Sequence, residues 1–163
     1  MLRKTDHDAL PATTEKVNMM TQTGLDTFDR TLQQTHLWLN DVGKSDAVGP
    51  DTQRQFHALR SVLWALRDRL TVDEAFDLSS NLPLLIRGIY WENYRPSGKP
   101  ESFRTRAEFL KKVEDALEGA IHMNPEGAAR AVLGMIAARV PKGQVEDIKR
   151  MVPEEIRTLF PQD

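Results

Sequence analysis

The 163-residue chain contains no cysteine, which excludes disulfide frameworks, thiolate metal sites and cysteine nucleophiles. A cysteine-free composition suits a reducing compartment. Long apolar runs are missing as well. The longest helix-like one, Ala128 to Val140, is interrupted by Arg130 and Arg139 and falls far short of the roughly 20 residues that cross a bilayer. Met1 to Lys4 are basic, but Thr5, Asp6, His7 and Asp8 follow where an export signal needs an apolar core. These absences predict a soluble, cytoplasmic chain with no membrane contact. Neither sign of charge dominates: 22 basic against 24 acidic residues leave a net charge of −2, which argues against a general affinity for nucleic acid. The histidines His7, His36, His57 and His122 show no paired ligand spacing of the His-x-x-x-His kind, so no metal site is expected. Gly98-Lys99 comes nearest to a phosphate loop, but Pro100 replaces the required hydroxyl residue and Asn93 the first glycine. No cofactor is expected.

What is present is helical periodicity. A chain of this length fits one domain whose core needs no metal or disulfide. Residues 1–23 are polar and read as a flexible N-terminal arm, and residues 24–163 as a single all-helical domain. Leu25, Phe28, Leu32, Thr35, Leu39 and Val42 recur at alternating spacings of three and four, which puts them on one helical face. Gly43 ends that helix. Phe56, Leu59, Val62, Leu63, Leu66 and Leu70 form the stripe of a second. Thr71 with Glu74 reads as a capping box opening a short third helix, and Pro83 as the first residue of a fourth. Tyr94 to Ser102, with Pro96, Gly98 and Pro100, reads as a linker. The same order then returns, with a helix from about Phe103, another from Asn124-Pro125, a short one from Pro141 and a last one from Pro153.

The return is residue by residue. Ala58, Arg60, Val62, Leu63, Arg69, Asp77, Pro83, Ile86 and Arg87 recur 70 positions later as Ala128, Arg130, Val132, Leu133, Arg139, Asp147, Pro153, Ile156 and Arg157. Leu70/Val140, Leu78/Ile148, Leu82/Val152 and Tyr90/Phe160 are conservative partners, and upstream Phe28 pairs with Phe109 at an offset of 81. The expected fold is therefore all-α, a single helical bundle of two tandem repeats of about four helices, the third one short. Repeat one covers about 24–94, the linker about 95–102 and repeat two about 103–161. A unit with one apolar stripe cannot bury it alone, so both repeats should share one core.

The helix ending Leu66-Arg67-Asp68-Arg69-Leu70, followed by Leu82-Pro83 and the tail Arg87-Gly88-Ile89-Tyr90-Trp91-Glu92-Asn93-Tyr94-Arg95-Pro96, resembles the bacterial family called domain of unknown function 2267. The resemblance covers roughly Leu25 to Phe160. Tyr94 stands where that pattern leads one to expect tryptophan. The resemblance implies an all-helical fold and no activity, so it assigns no catalytic residues.

The repeat also sorts candidates, because a residue found in both copies serves the unit and one found in a single copy is freer to serve function. Arg69/Arg139 sit in a last helical turn and suit the macrodipole; Arg87/Arg157 suit carbonyl capping or pairing with Asp77/Asp147. Trp64, Arg67, Asp68 and Trp91 face Gly134, Ala137, Ala138 and Pro161 in the other copy. With Arg87, Tyr90, Tyr94 and Arg95 they make the candidate ligand or partner surface, since aromatic and guanidinium groups are enriched at interfaces; the plainer reading is a hydrophobic lid over the seam. His57, Ser61 and Asp68 share a helical face but run parallel rather than converge, which makes a poor triad. The segment 95–112 holds Arg95, Lys99, Arg104, Arg106, Lys111 and Lys112 against Glu101 and Glu108, a weak nucleic-acid candidate.

Two functions follow as expectations. The first is a non-catalytic interaction module for a protein partner or a second copy of the chain. The second is a small-molecule binding protein with a pocket between the repeats walled by Trp64, Tyr90 and Trp91, with Arg67 or Arg87 for an anion.

Overall fold

The computed structural model describes residues 22–117, 119 and 121–162, and among these every regular element is a helix. In chain order they are α1 (Asp26–Val42), α2 (Thr52–Arg69), α3 (Val72–Ser80), α4 (Leu84–Trp91), α5 (Arg106–Leu117), α6 (Pro125–Arg139), α7 (Lys142–Met151) and α8 (Glu154–Arg157). No helix among the described residues is long and apolar enough to cross a membrane.

Local chemistry sets most helix ends. Asp51 caps α2 by accepting from the Arg54 N–H at 2.9 Å, Thr71 caps α3 by accepting from Glu74, and Asn124 caps α6 ahead of Pro125. These side chains satisfy N–H groups that have no partner within the helix. The capping box at α3 is only half made, because the Glu74 carboxylate turns away to Gln144 of α7. At α4 the helix opens on Leu84; Pro83 is still extended, one residue short of the place read from the sequence. Helix α5 starts at Arg106 rather than Phe103. Its reciprocal cap lies at Thr105 and Glu108: the carboxylate accepts from the Arg104 and Thr105 N–H groups and the Thr105 hydroxyl, and the Thr105 hydroxyl oxygen accepts from the Glu108 N–H. Those donors hold Glu108 below the usual carboxylate range.

Most of the segment read as an N-terminal arm, residues 1–21, lies outside the described residues. Gln22 and Thr23 are tied to α1: their N–H groups and the Thr23 hydroxyl all donate to the buried Asp29 carboxylate, at 2.9–3.1 Å. The residue that closes α1, Gly43, has no room for a side chain. A Cβ there would overlap the Gln55 side chain and lie 2.8 Å from the Gly49 carbonyl oxygen.

Helix α2 packs against α1, α5 and α6, and α6 also meets α1 and α5, so one hydrophobic cluster runs through both halves of the chain. Leu59, Val62, Leu63 and Leu66 of α2 are fully enclosed together with Phe109, Val113, Val132, Leu133 and Ile136. Each such side chain contributes roughly 1.5–3 kcal/mol of transfer free energy. The short helices cover this bundle: α3 packs on α7, α4 on α1 and α2, α8 on α5.

Helix ends recur 70 residues apart, α2 and α6 stopping at Arg69 and Arg139, α3 and α7 starting at Val72 and Lys142, α4 and α8 at Leu84 and Glu154. Bonding recurs with them. The Arg87 Nε donates to the Ser79 carbonyl and its Nη2 to Leu82; the Arg157 Nε donates to Lys149 and its Nη2 to Val152. Each arginine thus caps the C-terminal carbonyls of the preceding helix. Asp147 pairs with Arg150 instead. Arg69 and Arg139 diverge: one donates to the Phe103 carbonyl, the other to the Asp41 carboxylate at 2.7 Å.

Candidate functional site

Of the residues singled out from the sequence, Trp64, Arg67, Asp68, Tyr90, Trp91 and Tyr94 gather at the C-terminal end of α4, whereas Arg87 turns to the end of α3 and Arg95 is exposed. Arg67 is only 3% exposed. Its Nη1 donates to the carbonyls of Tyr90 and Glu92, the second at 2.7 Å, and its Nε to Asp68 at 3.2 Å. One turn earlier, the Trp64 indole N–H donates to the Ile89 carbonyl at 2.9 Å. Two residues past the last residue of α4 the chain turns at Asn93, whose φ is +57°, and these two α2 side chains bond to carbonyls at that end of the helix, the Ile89 carbonyl also accepting from the Glu92 N–H. The guanidinium carbons of Arg60 and Arg67 lie 4.9 and 5.3 Å from the Trp64 ring centre.

Tyr90 is fully buried, and its hydroxyl donates to the Ala75 carbonyl at 2.9 Å. Burial pushes its pKa far above the ordinary phenol value. Trp91 packs edge-on against Tyr90 and Tyr94, with ring centres 4.9 Å apart in both pairs. Asp68 faces Lys99 at 3.6 Å and Lys112 at 3.7 Å, and its carbonyl accepts from the Glu101 N–H, which straps the 95–102 segment onto α2.

Around Trp64, Tyr90 and Trp91 the seam is therefore occupied by protein groups, and Arg67 spends its donors on backbone. In the other half, a Cβ on Gly134 would lie 3.8 Å from Pro161, so proline sits where the larger side chain would reach. Ser61 is also spent: it is fully buried and its hydroxyl donates to the Ala58 carbonyl. No hydrogen bond among the described residues joins it to His57 or Asp68.

The basic segment is largely neutralised. Lys99 and Lys112 pair with Glu101 as well as Asp68, Lys111 with Glu114 and Asp115, and Arg106 with Glu126. Burial works to raise the Glu101 pKa, but bonds from Lys112 and Lys99 hold it below the usual range. Among the described residues, no three His, Asp or Glu side chains gather as a metal ligand set.

A different surface stands out, one that periodicity alone did not single out. Between α1 and α4 runs a groove lined by Thr23, Phe28, Thr31, Leu32, Leu84, Leu85 and Gly88. It continues past Leu85 and Ile89 of α4 to His36 and Leu39 of α1 and Phe56 of α2. Lys, Arg, Asp and Glu are absent from the lining. Phe28 and Leu84 are each 50% exposed and Leu85 is 40% exposed. Leu84, Gly88 and Trp91 lie at i, i+4 and i+7 on one face of α4. That face leads to Phe76 of α3, which is 58% exposed with its ring centre 4.7 Å from that of Trp91. Above Gly88 the space is open, since an added Cβ would meet nothing within 4 Å.

The second half differs at the matching positions. Where α4 shows Leu84, Leu85 and Gly88, the other half has Glu154, Glu155 and Thr158, all exposed, and Phe109, the counterpart of Phe28, is fully buried. In the sequence the same contrast is visible as Leu84 and Leu85 standing 70 residues before Glu154 and Glu155.

Compared with known protein families, the chain matches the one described as "Uncharacterized conserved protein (DUF2267)" over residues 35–159. The chain belongs to this family. The DUF2267 match takes in the two arginine caps and the Leu84 to Gly88 face. It begins inside α1 at Thr35, so Thr23, Phe28, Thr31 and Leu32, which form one wall of the groove, precede it. No curated protein matches the chain.

Proposed function

We propose that this protein is a non-catalytic helical interaction module that binds a protein partner through the outer face of α4 and the adjoining edge of α1. One observation carries the reading: half-exposed leucines at positions 84 and 85 stand where the other half of the same architecture bears glutamates. The reading takes the halves as two copies of one unit, the second showing what its outer surface looks like when nothing docks on it. Contiguous exposed apolar surface of this kind marks association sites in soluble proteins. Of the residues expected at the surface, Trp91 lies on this face of α4, beside the exposed Phe76. Trp64, Arg67 and Tyr90 support it from below by fixing the end of α4. A cytoplasmic location belongs to the same proposal, in keeping with the cysteine-free composition.

Photo-crosslinking tests the reading. A benzophenone amino acid is placed at Gly88, where there is room for it, and in a second variant at Thr158, the matching position of the other half. Adducts formed in cells at 88 and absent at 158 are expected. Equal yields at both positions, or none at either, would remove the support for this face.

A further inference from the structure

We infer that the partner seated on the α1/α4 face is a protein segment that is apolar along most of the contact and carries one carboxylate, which pairs with Arg60. The inference rests on the interaction-module reading and names the chemistry of the partner.

The groove reaches Phe56 of α2, and Arg60 lies one turn further along the same helix. Its guanidinium carbon is 5.4 Å from the Phe56 ring centre and 4.9 Å from that of Trp64, so both rings hold it in place. The side chain is half-buried, and its Nε is enclosed without a hydrogen-bond partner. Among the described residues its one polar contact runs from Nη2 to the His57 Nδ1, at 3.5 Å. The other arginines of α2 and α4 are engaged: Arg54, Arg67, Arg69 and Arg87 all donate to backbone carbonyls. Arg60 is thus a positioned guanidinium that, among the described residues, donates to no oxygen.

The second half shows the same side chain with an acceptor at hand. Arg130, 70 residues on, donates through Nε and Nη2 to the Glu126 carboxylate at 2.9 and 2.8 Å, and through Nη1 to the Thr158 carbonyl. In the first half the position matching Glu126 is Phe56, and the one matching Thr158 is Gly88. The half with the exposed leucines therefore has an aromatic ring where the other has the carboxylate. A planar guanidinium resting on rings is already ordered, so it loses little freedom on pairing and presents a fork that suits a carboxylate.

Charge complementarity then fixes what the partner must carry. Lys, Arg, Asp and Glu are absent from the groove lining, so apolar side chains of the partner fill it. Covering Arg60 at the same time without supplying an anion would strand a charge away from water, which is strongly unfavourable. A segment with Asp or Glu at this end avoids that, and one with Lys or Arg there is repelled.

The benzophenone at position 88 of the full-length chain captures the partner in cells, and mass spectrometry of the adduct reads the attached segment. An apolar stretch containing Asp or Glu is expected. Arg60→Gln should lower the adduct yield roughly fivefold, as loss of one partly exposed ion pair does. Arg60→Lys, which keeps the charge, should recover part of that loss, and Arg130→Gln should change nothing. Calorimetry with a synthetic peptide of the captured segment completes the test. Replacing its acidic residue by the amide should weaken binding to the wild-type chain roughly fivefold and leave binding to the Arg60→Gln chain unchanged. A segment without Asp or Glu, a yield indifferent to Arg60→Gln, or a wild-type chain that binds acid and amide peptides equally overturns the inference and leaves the interaction module standing. Adducts with a second copy of this chain do the same. Adducts with residues 1–21 of the same molecule, or none, remove both.

Discussion

Glu74 of α3 and Gln144 of α7 bond to each other, and they stand 70 residues apart in the chain, the same spacing at which the helix ends and the arginine caps recur. The two residues meet where α3 packs on α7. The pair is chemically unequal. Glu74 is buried, and burial raises its pKa, with the nearby charges of Asp147 and Asp77 adding to the rise and the Gln144 hydrogen bond opposing it.

A carboxylate whose pKa is raised by folding contributes stability when protonated. The contribution is complete below the unfolded value of 4.5 and is lost as pH rises through the folded value. Glu74→Gln should therefore stabilise the protein at pH 7 by no more than about 1 kcal/mol, or roughly 2–4 °C in Tm. The gain should vanish below about pH 4.5. Thermal melts of both chains across pH 3–8 check this, and a variant less stable than the parent at pH 7 would be the contrary result.

Arg67 is expected to be structural. Arg67→Met leaves the carbonyls of Tyr90 and Glu92 without its bonds and should cost about 3 kcal/mol in urea unfolding. Arg67→Lys should recover less than half of that, because one ammonium cannot reach both carbonyls and also lie over the Trp64 and Tyr94 rings. A cost under about 1 kcal/mol for the methionine variant would free Arg67 for a role in binding.

The two tyrosines should respond differently to loss of their hydroxyls. Tyr90→Phe breaks a buried bond to the Ala75 carbonyl and should cost about 1–2 kcal/mol. The Tyr94 hydroxyl finds no partner among the described residues, so Tyr94→Phe should change stability by less than about 0.5 kcal/mol or improve it. Equal effects in chemical denaturation would contradict the geometry described for the end of α4.

The fold was legible because helical periodicity and capping chemistry are local. Thr71 and Asn124 act within three residues of themselves, and the spacing of Val62, Leu63 and Leu66 carries the buried face directly. The helix boundaries that recur 70 residues apart follow residues such as Arg69 and Arg139 that were already visible at that offset in the sequence. The candidate surface was read less well. Composition cannot show whether an aromatic or an arginine points outward, and the bonds that draw Arg67 and Trp64 inward go to backbone carbonyls more than twenty residues away. The α1/α4 groove was missed because Phe28, Leu32, Leu84 and Leu85 belong to ordinary helical stripes. Only packing shows that α1 and α4 stand far enough apart at Gly88 to leave these residues half covered.

The most direct measurement of the central claim is the stability of a chain carrying Leu84→Glu and Leu85→Glu, which gives the first half the outer residues of the second. If those leucines serve a partner, unfolding free energy should change by no more than about 1 kcal/mol while crosslinking at position 88 disappears. A loss of 3 kcal/mol or more, typical of core leucines, would show that they hold this fold together and that the face is not a docking surface.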